Sequence, residues 1–271
     1  MKKYEKIAFI TGASSGIGKA TAKEFAKLGY NIVITGRRKS RLLEVKEKLT
    51  YKYGVNVKVL AFDISDSDAT QRAFNSLPKE WKNKIHVLVN NAGGAKGLDP
   101  FHEGKLNHWE TMIDANVKGL LYISRFITPS MVKRKSGHII NVCSTAGHEV
   151  YPKGHVYCAT KHAVKALTQG MRQDLHTHGI RVSEVSPGHV EETEFALNRF
   201  DGDKTKSKIY EDFNPLTSKD VAKTIVYIAQ QPKHVNIQEI IMMGTQQASS
   251  TIIDRSGRKY DSNKKSNSKR P

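Results

Sequence analysis

Cysteine is scarce in this chain: Cys143 and Cys158 are the only two among 271 residues. Two thiols build neither a disulfide framework nor a metal site, so the fold must rest on a hydrophobic core, and a reducing cytoplasm suits it. Long apolar runs are missing too. None approaches the roughly 20 residues that a membrane helix needs, and Met1 to Glu5 pass into the first apolar strand without the hydrophobic region of a secretory leader. Acidic residues are short, 26 against 44 Lys and Arg, which leaves a formal net charge of +18. From Arg255 to Arg270 there are seven basic residues and one acid, Asp261, so this end supplies about +6 and the remainder about +12. The other basic residues are scattered over helices and form no stripe with aromatics between them. That pattern argues against nucleic acid and for a solvated basic surface that draws in an anionic cofactor or substrate. No repeat of solenoid period is present.

What remains is ordinary for a globular protein, with 38% hydrophobic and 26% charged residues, and the length fits one α/β domain. KIAFIT (Lys6 to Thr11) reads as a strand, TGASSGIG as a turn, and Ile17, Thr21, Phe25 and Leu28 as one helix face that Gly29 ends. Gly12, Gly16 and Gly18 let the backbone approach a ligand closely while the first helical amides point at an anion, a place for a pyrophosphate. The glycine spacing differs from the usual dinucleotide fingerprint, and position carries the reading: the turn joins a first strand to a first helix.

NIVITG (Asn31 to Gly36) is the second strand. An acid near its end would hold free ribose hydroxyls; Arg37 and Arg38 stand there instead, and guanidinium groups suit a 2′-phosphate, which points to NADP. A helix follows with Leu42, Val45, Leu49 and Tyr53 on one side. NVKVLAF then runs to Asp63, which is placed to accept from an adenine amino group or to cap the next helix, as Ser65 and Ser67 are. IHVLVNNAG (Ile85 to Gly93) is a strand buried on both faces, with Asn90 fixing its end and Gly93 and Gly94 leaving room for a cofactor. A single long helix is expected from Asn107 to about Arg134, with Asn116 in its middle as a trivial polar residue or the mark of a distortion that frees a carbonyl for a water.

Gly137 to Cys143 is the fifth strand, and Ser144 follows at its carboxyl end, where open α/β sheets place their sites. Tyr157 and Lys161 are four apart, so on a helix they share a face. An ammonium there favours the ionised phenol, which makes a proton-transfer pair. Strand Ile180 to Ser186, the rigid turn Pro187-Gly188, a polar excursion at Asp201 to Ser207 with the character of a lid, a helix from about Lys219 to Ala229 and strand Ile237 to Met243 complete the pattern. Seven strands alternating with helices predict a single doubly wound Rossmann domain, a parallel sheet with helices on both faces, over residues 1–253. Residues 254–271 form a basic tail expected to be disordered.

TGxxxGxG at Thr11 to Gly18, NNAG at Asn90 to Gly93, Asn116, Ser144, Tyr157-x-x-x-Lys161 and Pro187-Gly188, in this order, resemble the short-chain dehydrogenase/reductase family over residues 4 to about 250. The resemblance implies that Tyr157 is the catalytic acid or base, that Lys161 lowers its pKa and holds the nicotinamide ribose, that Ser144 steadies the substrate oxygen, and that Asn116 holds a relay water. It lays the cofactor over Gly12, Ser14, Ser15, Gly16, Ile17 and Gly18, with Asp63 and Ile64 at adenine, Asn90, Ala92 and Gly93 along its middle, and Pro187, Gly188 and Val190 at nicotinamide. A dimer or tetramer built on the two long helices is implied as well.

WETMIDANVKGLLYISR, GHIINVCSTAG, VYCATKHAV and SPGHVEETEFALNRF are similar to the NADP-dependent 3-hydroxy acid dehydrogenases that oxidise serine and L-allo-threonine. Thr193 stands five residues after Gly188, as in that subgroup. Arg199 in the same run is placed to meet a substrate carboxylate or to lie on the surface. Cys143 replaces a common glycine, and His189 a common aliphatic residue. The same active site would serve a 3-oxoacyl carrier-protein reductase or a broad carbonyl reductase, and an NADP-binding regulator with a basic tail is the reading from another class.

Overall fold

Why the strands lie where they do is visible in which way their side chains point. The computed structural model describes residues 6–261. In β1 (Ile7–Ile10), Ala8 and Ile10 enter one core while Ile7 and Phe9 enter the other, and in β2 (Asn31–Gly36) Ile32 and Ile34 part from Val33 in the same way. A strand covered on both faces needs apolar residues at both parities, which is why these segments read as unbroken hydrophobic runs. β3 (Val57–Ala61), β4 (Ile85–Asn90), β5 (Gly137–Val142), β6 (Ile180–Pro187) and, after a short parallel pair β7 (Val190–Glu191) and β8 (Leu216–Thr217), β9 (Glu239–Met242) complete the set. The main sheet is seven-stranded in the order β3-β2-β1-β4-β5-β6-β9, with every pairing parallel.

Helices α1 (Gly16–Lys27) and α2 (Lys39–Tyr53) cover one face together with α9 (Ser218–Gln230), whose capping box joins Thr217 and Asp220. Helix α3 (Ser67–Asn75), the short α4 (Lys79–Lys82), α5 (Leu106–Ile113), α6 (Gly119–Arg134) and α7 (His155–Leu175) lie ahead of the five-residue α8 (Phe195–Arg199) in the chain. The second core packs Ile123, Ile127 and Met131 of α6 and Phe74 of α3 on the other face of the sheet. Strand order reverses between β1 and β4, so a crevice opens at their carboxyl ends, where ligands of doubly wound sheets bind.

Three expectations change. The single helix over 107–134 is α5 and α6 joined by a π turn, Asp114–Lys118, because Asn116 is tied sideways: its Nδ2 donates to the Gly94 carbonyl at 2.9 Å and to Thr160 Oγ1 at 3.0 Å, and its Oδ1 accepts from the Gly94 amide at 2.8 Å. The fourth strand stops at Asn90, since the Asn91 and Ala92 amides both turn to Thr11 Oγ1 at 2.9 Å. The cap of α3 is Asp66, which accepts from the Ala69 amide at 2.9 Å, and neither Asp63, Ser65 nor Ser67 serves.

The basic tail also differs from expectation. Residues 254–261 carry no helix or strand, yet Arg258 forks onto Glu191 at 2.8 and 3.0 Å and reaches Asp261 at 2.9 Å. Its guanidinium also donates to the carbonyls of Tyr210 and Phe213, each at 3.2 Å. A boundary at 253 therefore cuts through a packed segment. The remaining stretch of the tail, 262–271, lies outside the described residues. The excursion at Asp201 is exposed and made of turns, pinned at its start by Lys96 and His108 on the Asp201 carboxylate at 2.8 and 3.2 Å. No described helix is long and apolar enough to cross a membrane.

Candidate active site

The glycine turn is as tight as its residues imply. A Cβ on Gly18 would stand 2.4 Å from the Gly12 carbonyl oxygen, and one on Gly12, where φ is +66°, 2.9 Å from Ala92 Cα. Only glycine allows β1, α1 and the end of β4 to converge there. Asn91 fastens the convergence, its Nδ2 donating to the Thr11 carbonyl at 2.9 Å. Beside it opens a cavity of about 410 Å³ whose wall includes Gly12, Ser15, Gly16, Ile17, Asn91, Gly93, Ser144, Tyr157, Lys161, Pro187, Gly188, Val190 and Arg199. The glycine cradle, opening on one cavity with Ser144, Tyr157 and Lys161, fits the pyrophosphate and nicotinamide side of a dinucleotide.

At the far end, β5 delivers Ser144 and α7 delivers Tyr157 and Lys161. Ser144 Oγ accepts from the Ala146 amide at 3.1 Å and hydrogen-bonds the Tyr157 phenol. Lys161 Nζ lies 5.8 Å from the Tyr157 ring centre and donates to the Val142 carbonyl at 3.1 Å. Both side chains are buried, Tyr157 at 7% exposure and Lys161 at 8%. Burial pushes the Tyr157 phenol up to about 12, against the pull of the Ser144 hydrogen bond and the Arg199 charge. Burial likewise holds the Lys161 ammonium below its usual range. The spacing argument expected Lys161 to lower the phenol; in the folded protein burial is the largest influence and raises it, because a phenolate here would leave water for an apolar wall, and the opposing pulls come from Ser144 and Arg199.

Arg199 is 8% exposed and lies over the rings of Tyr151 and Tyr157, at 5.5 and 5.7 Å from their centres. It donates to Tyr151 Oη at 3.1 Å and to the Gly97 carbonyl at 3.3 Å, and no described carboxylate pairs with it. The sequence left open a surface arginine; this one is inside. At the other end, beyond Ser15, Arg38 Nη2 donates to Ser14 Oγ at 2.9 Å and Ser15 Oγ at 3.0 Å. Arg37 points outward, 3.9 Å from the Asp63 carboxylate, and Asp63 Oδ1 accepts from Ser65 Oγ at 2.7 Å. Ile64 packs against Gly119. Asn90 turns from the cleft, donating to Ser124 Oγ and Asn141 Oδ1, each at 2.9 Å; its neighbour Asn91 faces the cavity. Cys143 and Cys158 are free and buried, and Cys143, next to Ser144, also borders the cavity. His148, Glu184 and Glu239 do converge within 4.8 Å, where Lys165 Nζ already stands 2.7 Å from His148 Nδ1.

The sequence pattern of the short chain dehydrogenase family matches residues 6–204. The chain belongs to that family. This short chain dehydrogenase is 43% identical over 243 residues to the NADP-dependent 3-hydroxy acid dehydrogenase of Salmonella typhi, covering 89% of this chain and 96% of that protein. It is 42% identical over 240 residues to the serine 3-dehydrogenase of Agrobacterium fabrum, covering 88% and 94%. Among solved structures, the closed form of a serine dehydrogenase complexed with NADP+ superposes with a TM-score of 0.86 at 42% identity, over 90% of this chain and 97% of the other. Serine dehydrogenase from Escherichia coli gives 0.77 at 38%, over 89% and 99%.

Some residues at this dehydrogenase's site had no signal in the sequence. Glu194 pairs with Arg38 and Arg41 from 156 and 153 residues away, respectively, and no local pattern announces a contact of that range. Gln247 accepts from the His189 amide at 2.9 Å, and a Cβ on Gly188 would stand 2.3 Å from its Oε1. Tyr210 and Phe213 flank the His189 ring at 5.8 and 5.7 Å.

Proposed function

We propose that this protein is an NADP-dependent oxidoreductase that moves a hydride between nicotinamide and the hydroxyl-bearing carbon of a small 3-hydroxy acid such as serine, L-allo-threonine or 3-hydroxyisobutyrate. The observation that carries the reading is Arg199. A buried guanidinium with no described carboxylate partner, packed against the Tyr157 ring inside the cavity, suits a substrate that brings its own carboxylate. Similarity to dehydrogenases of that substrate class supports the same conclusion.

NADP, when bound, supplies the hydride acceptor or donor. Gly12, Gly16 and Gly18 leave room for its pyrophosphate; Arg38, with Ser14 and Ser15, holds the 2′-phosphate; Asp63 and Ile64 border the adenine. Ala92 and Gly93 line the middle, and Pro187, Gly188 and Val190 the nicotinamide end. Arg199 anchors the carboxylate, Ser144 fixes the substrate oxygen, and Tyr157 exchanges the proton with it. In reduction the protonated phenol, favoured by burial, is the acid. In oxidation the phenolate is reached with help from the Ser144 hydrogen bond and the Lys161 charge. Asn116, whose side chain is spent on Gly94 and Thr160, contributes by shaping the π turn, and a water held at that turn would relay protons through Lys161.

The domain extends through the Arg258 anchor. The protein acts in the cytoplasm as a homodimer or homotetramer assembled on α6 and α7, for which the exposed Leu121 of α6 offers apolar surface. Its partners are small molecules rather than nucleic acid. The test compares L-serine with its uncharged methyl ester, following reduced nicotinamide by absorbance. Arg199→Ala should lower kcat/KM for serine by about 100-fold or more and for the ester far less. Equal losses would remove the carboxylate assignment, and preference of the unsubstituted enzyme for a 3-oxoacyl thioester would replace the substrate class.

A further inference from the structure

The guanidinium groups past the end of β2 already hold an anion, and the chain itself provides it. Glu194, at the start of α8, sets Oε2 2.6 Å from Arg38 Nη2, while its Oε1 hydrogen-bonds Arg41 Nη1. The same Arg38 nitrogen donates to Ser14 and Ser15 in the glycine turn. One residue earlier, Thr193 rests on that turn: a Cβ on Gly16 would lie 3.2 Å from its Cγ2. The loop after β6 therefore crosses from the nicotinamide end of the cleft to the Arg38 end, and Glu194 is its fastening.

A carboxylate set between two guanidinium groups, paired in charge with Arg38 and hydrogen-bonded by Arg41, occupies the positive charge that a phosphate would seek. Arg38 foremost, with Arg41 and Ser15, holds the Glu194 carboxyl down at about 2, so it is charged throughout the working pH range. A phosphate monoester brings roughly −1.5 to −2 charges near neutral pH, and two cations cannot hold it at full strength beside a retained carboxylate.

We infer that Glu194 is an internal stand-in for the cofactor's 2′-phosphate, competing with it for Arg38 and Arg41, so that seating NADP, and not NAD, unfastens the loop that carries Thr193 and Arg199. The inference rests on the NADP reading above. It gives the 2′-phosphate a second task beyond affinity: it reports its arrival to the substrate end of the cleft along six residues of chain, from Glu194 to Arg199.

The test measures 2′,5′-ADP and 5′-AMP by titration calorimetry on the full chain and on Glu194→Gln. The unsubstituted protein should prefer 2′,5′-ADP. The variant should bind 2′,5′-ADP about five- to tenfold more tightly, the scale of a partly exposed carboxylate shared by two arginines, with 5′-AMP changed less than twofold. If the unsubstituted protein shows no preference for the phosphorylated nucleotide, the NADP reading fails, and this inference with it. If the preference is present but the variant binds 2′,5′-ADP no more tightly, or gains equally for 5′-AMP, the competition alone is refuted.

Discussion

Replacing Ser144 with alanine should move the pH at which alcohol oxidation turns on. The phenolate of Tyr157 is the base form, and the Ser144 hydrogen bond is the first of the influences that oppose burial, which together leave the phenol at about 12. Removing a donor to the ionised form leaves that form less favoured, so the limb moves to higher pH. A hydrogen bond to a charged group contributes about 1.5–3 kcal/mol, and about 1.36 kcal/mol corresponds to one pH unit. The alkaline limb of kcat should therefore rise by about one to two pH units, and below it the rate should fall by about 10- to 100-fold from this cause alone. The assay is kcat against pH at saturating NADP and hydroxy acid, which reports groups in the bound complex. Ser144→Thr keeps the hydroxyl and should leave the limb in place. A Ser144→Ala enzyme that is slower at every pH with an unmoved limb would refute the reasoning, because Ser144 would then act on the substrate alone and leave the ionisation of Tyr157 untouched.

Two further expectations concern stability. His138 is 2% exposed, and burial foremost, with the Arg181 charge, lowers its pKa from 6.5 to about 3. Between those values the unfolded chain binds a proton that the folded one refuses. Stability should thus fall as pH drops from about 6.5 toward 3, by up to roughly 1.4 kcal/mol per pH unit, and His138→Asn should flatten the dependence of the urea midpoint on pH; parallel curves would dismiss the assignment. Gly18→Ala places a Cβ 2.4 Å from a backbone oxygen and should cost about 1–3 kcal/mol and weaken cofactor binding, whereas Gly170→Ala, with nothing within 4 Å, should hold or gain up to about 1 kcal/mol. Thermal midpoints that fall equally for both would contradict this.

The sheet was legible because its physics is local in sequence. A strand covered on both faces carries apolar residues at both parities, and NIVITG, bounded by Gly29 and Arg37, shows that through Ile32, Val33 and Ile34: Asn31–Gly36 is the observed β2. The placement of the candidate pair was legible for a similar reason, since four residues on a helix fix the neighbourhood of Tyr157 and Lys161. What spacing does not contain is the strength of burial around them, which decides the direction of the phenol's shift. Asn116 could be flagged as a possible distortion but not resolved, because its partners Gly94 and Thr160 lie 22 and 44 residues away. Asn90 and Asn91 are the same residue type side by side, and only the strand's pleat decides which one faces the cleft. The tail misled because charge and absent periodicity describe the segment by itself, while Arg258 draws its order from Glu191, 67 residues earlier.

That anchor changes what the last described stretch of the protein is for. Arg258 grips Glu191 just ahead of Thr193, while Arg255 pairs with Asp212 at 2.7 Å and also borders the cavity. The mouth of the active site thus has a floor joist cut from the far end of the polypeptide. A chain trimmed after Ile253 on the strength of its composition would keep every chemical group of the reaction and lose the beam beneath the loop that aims them.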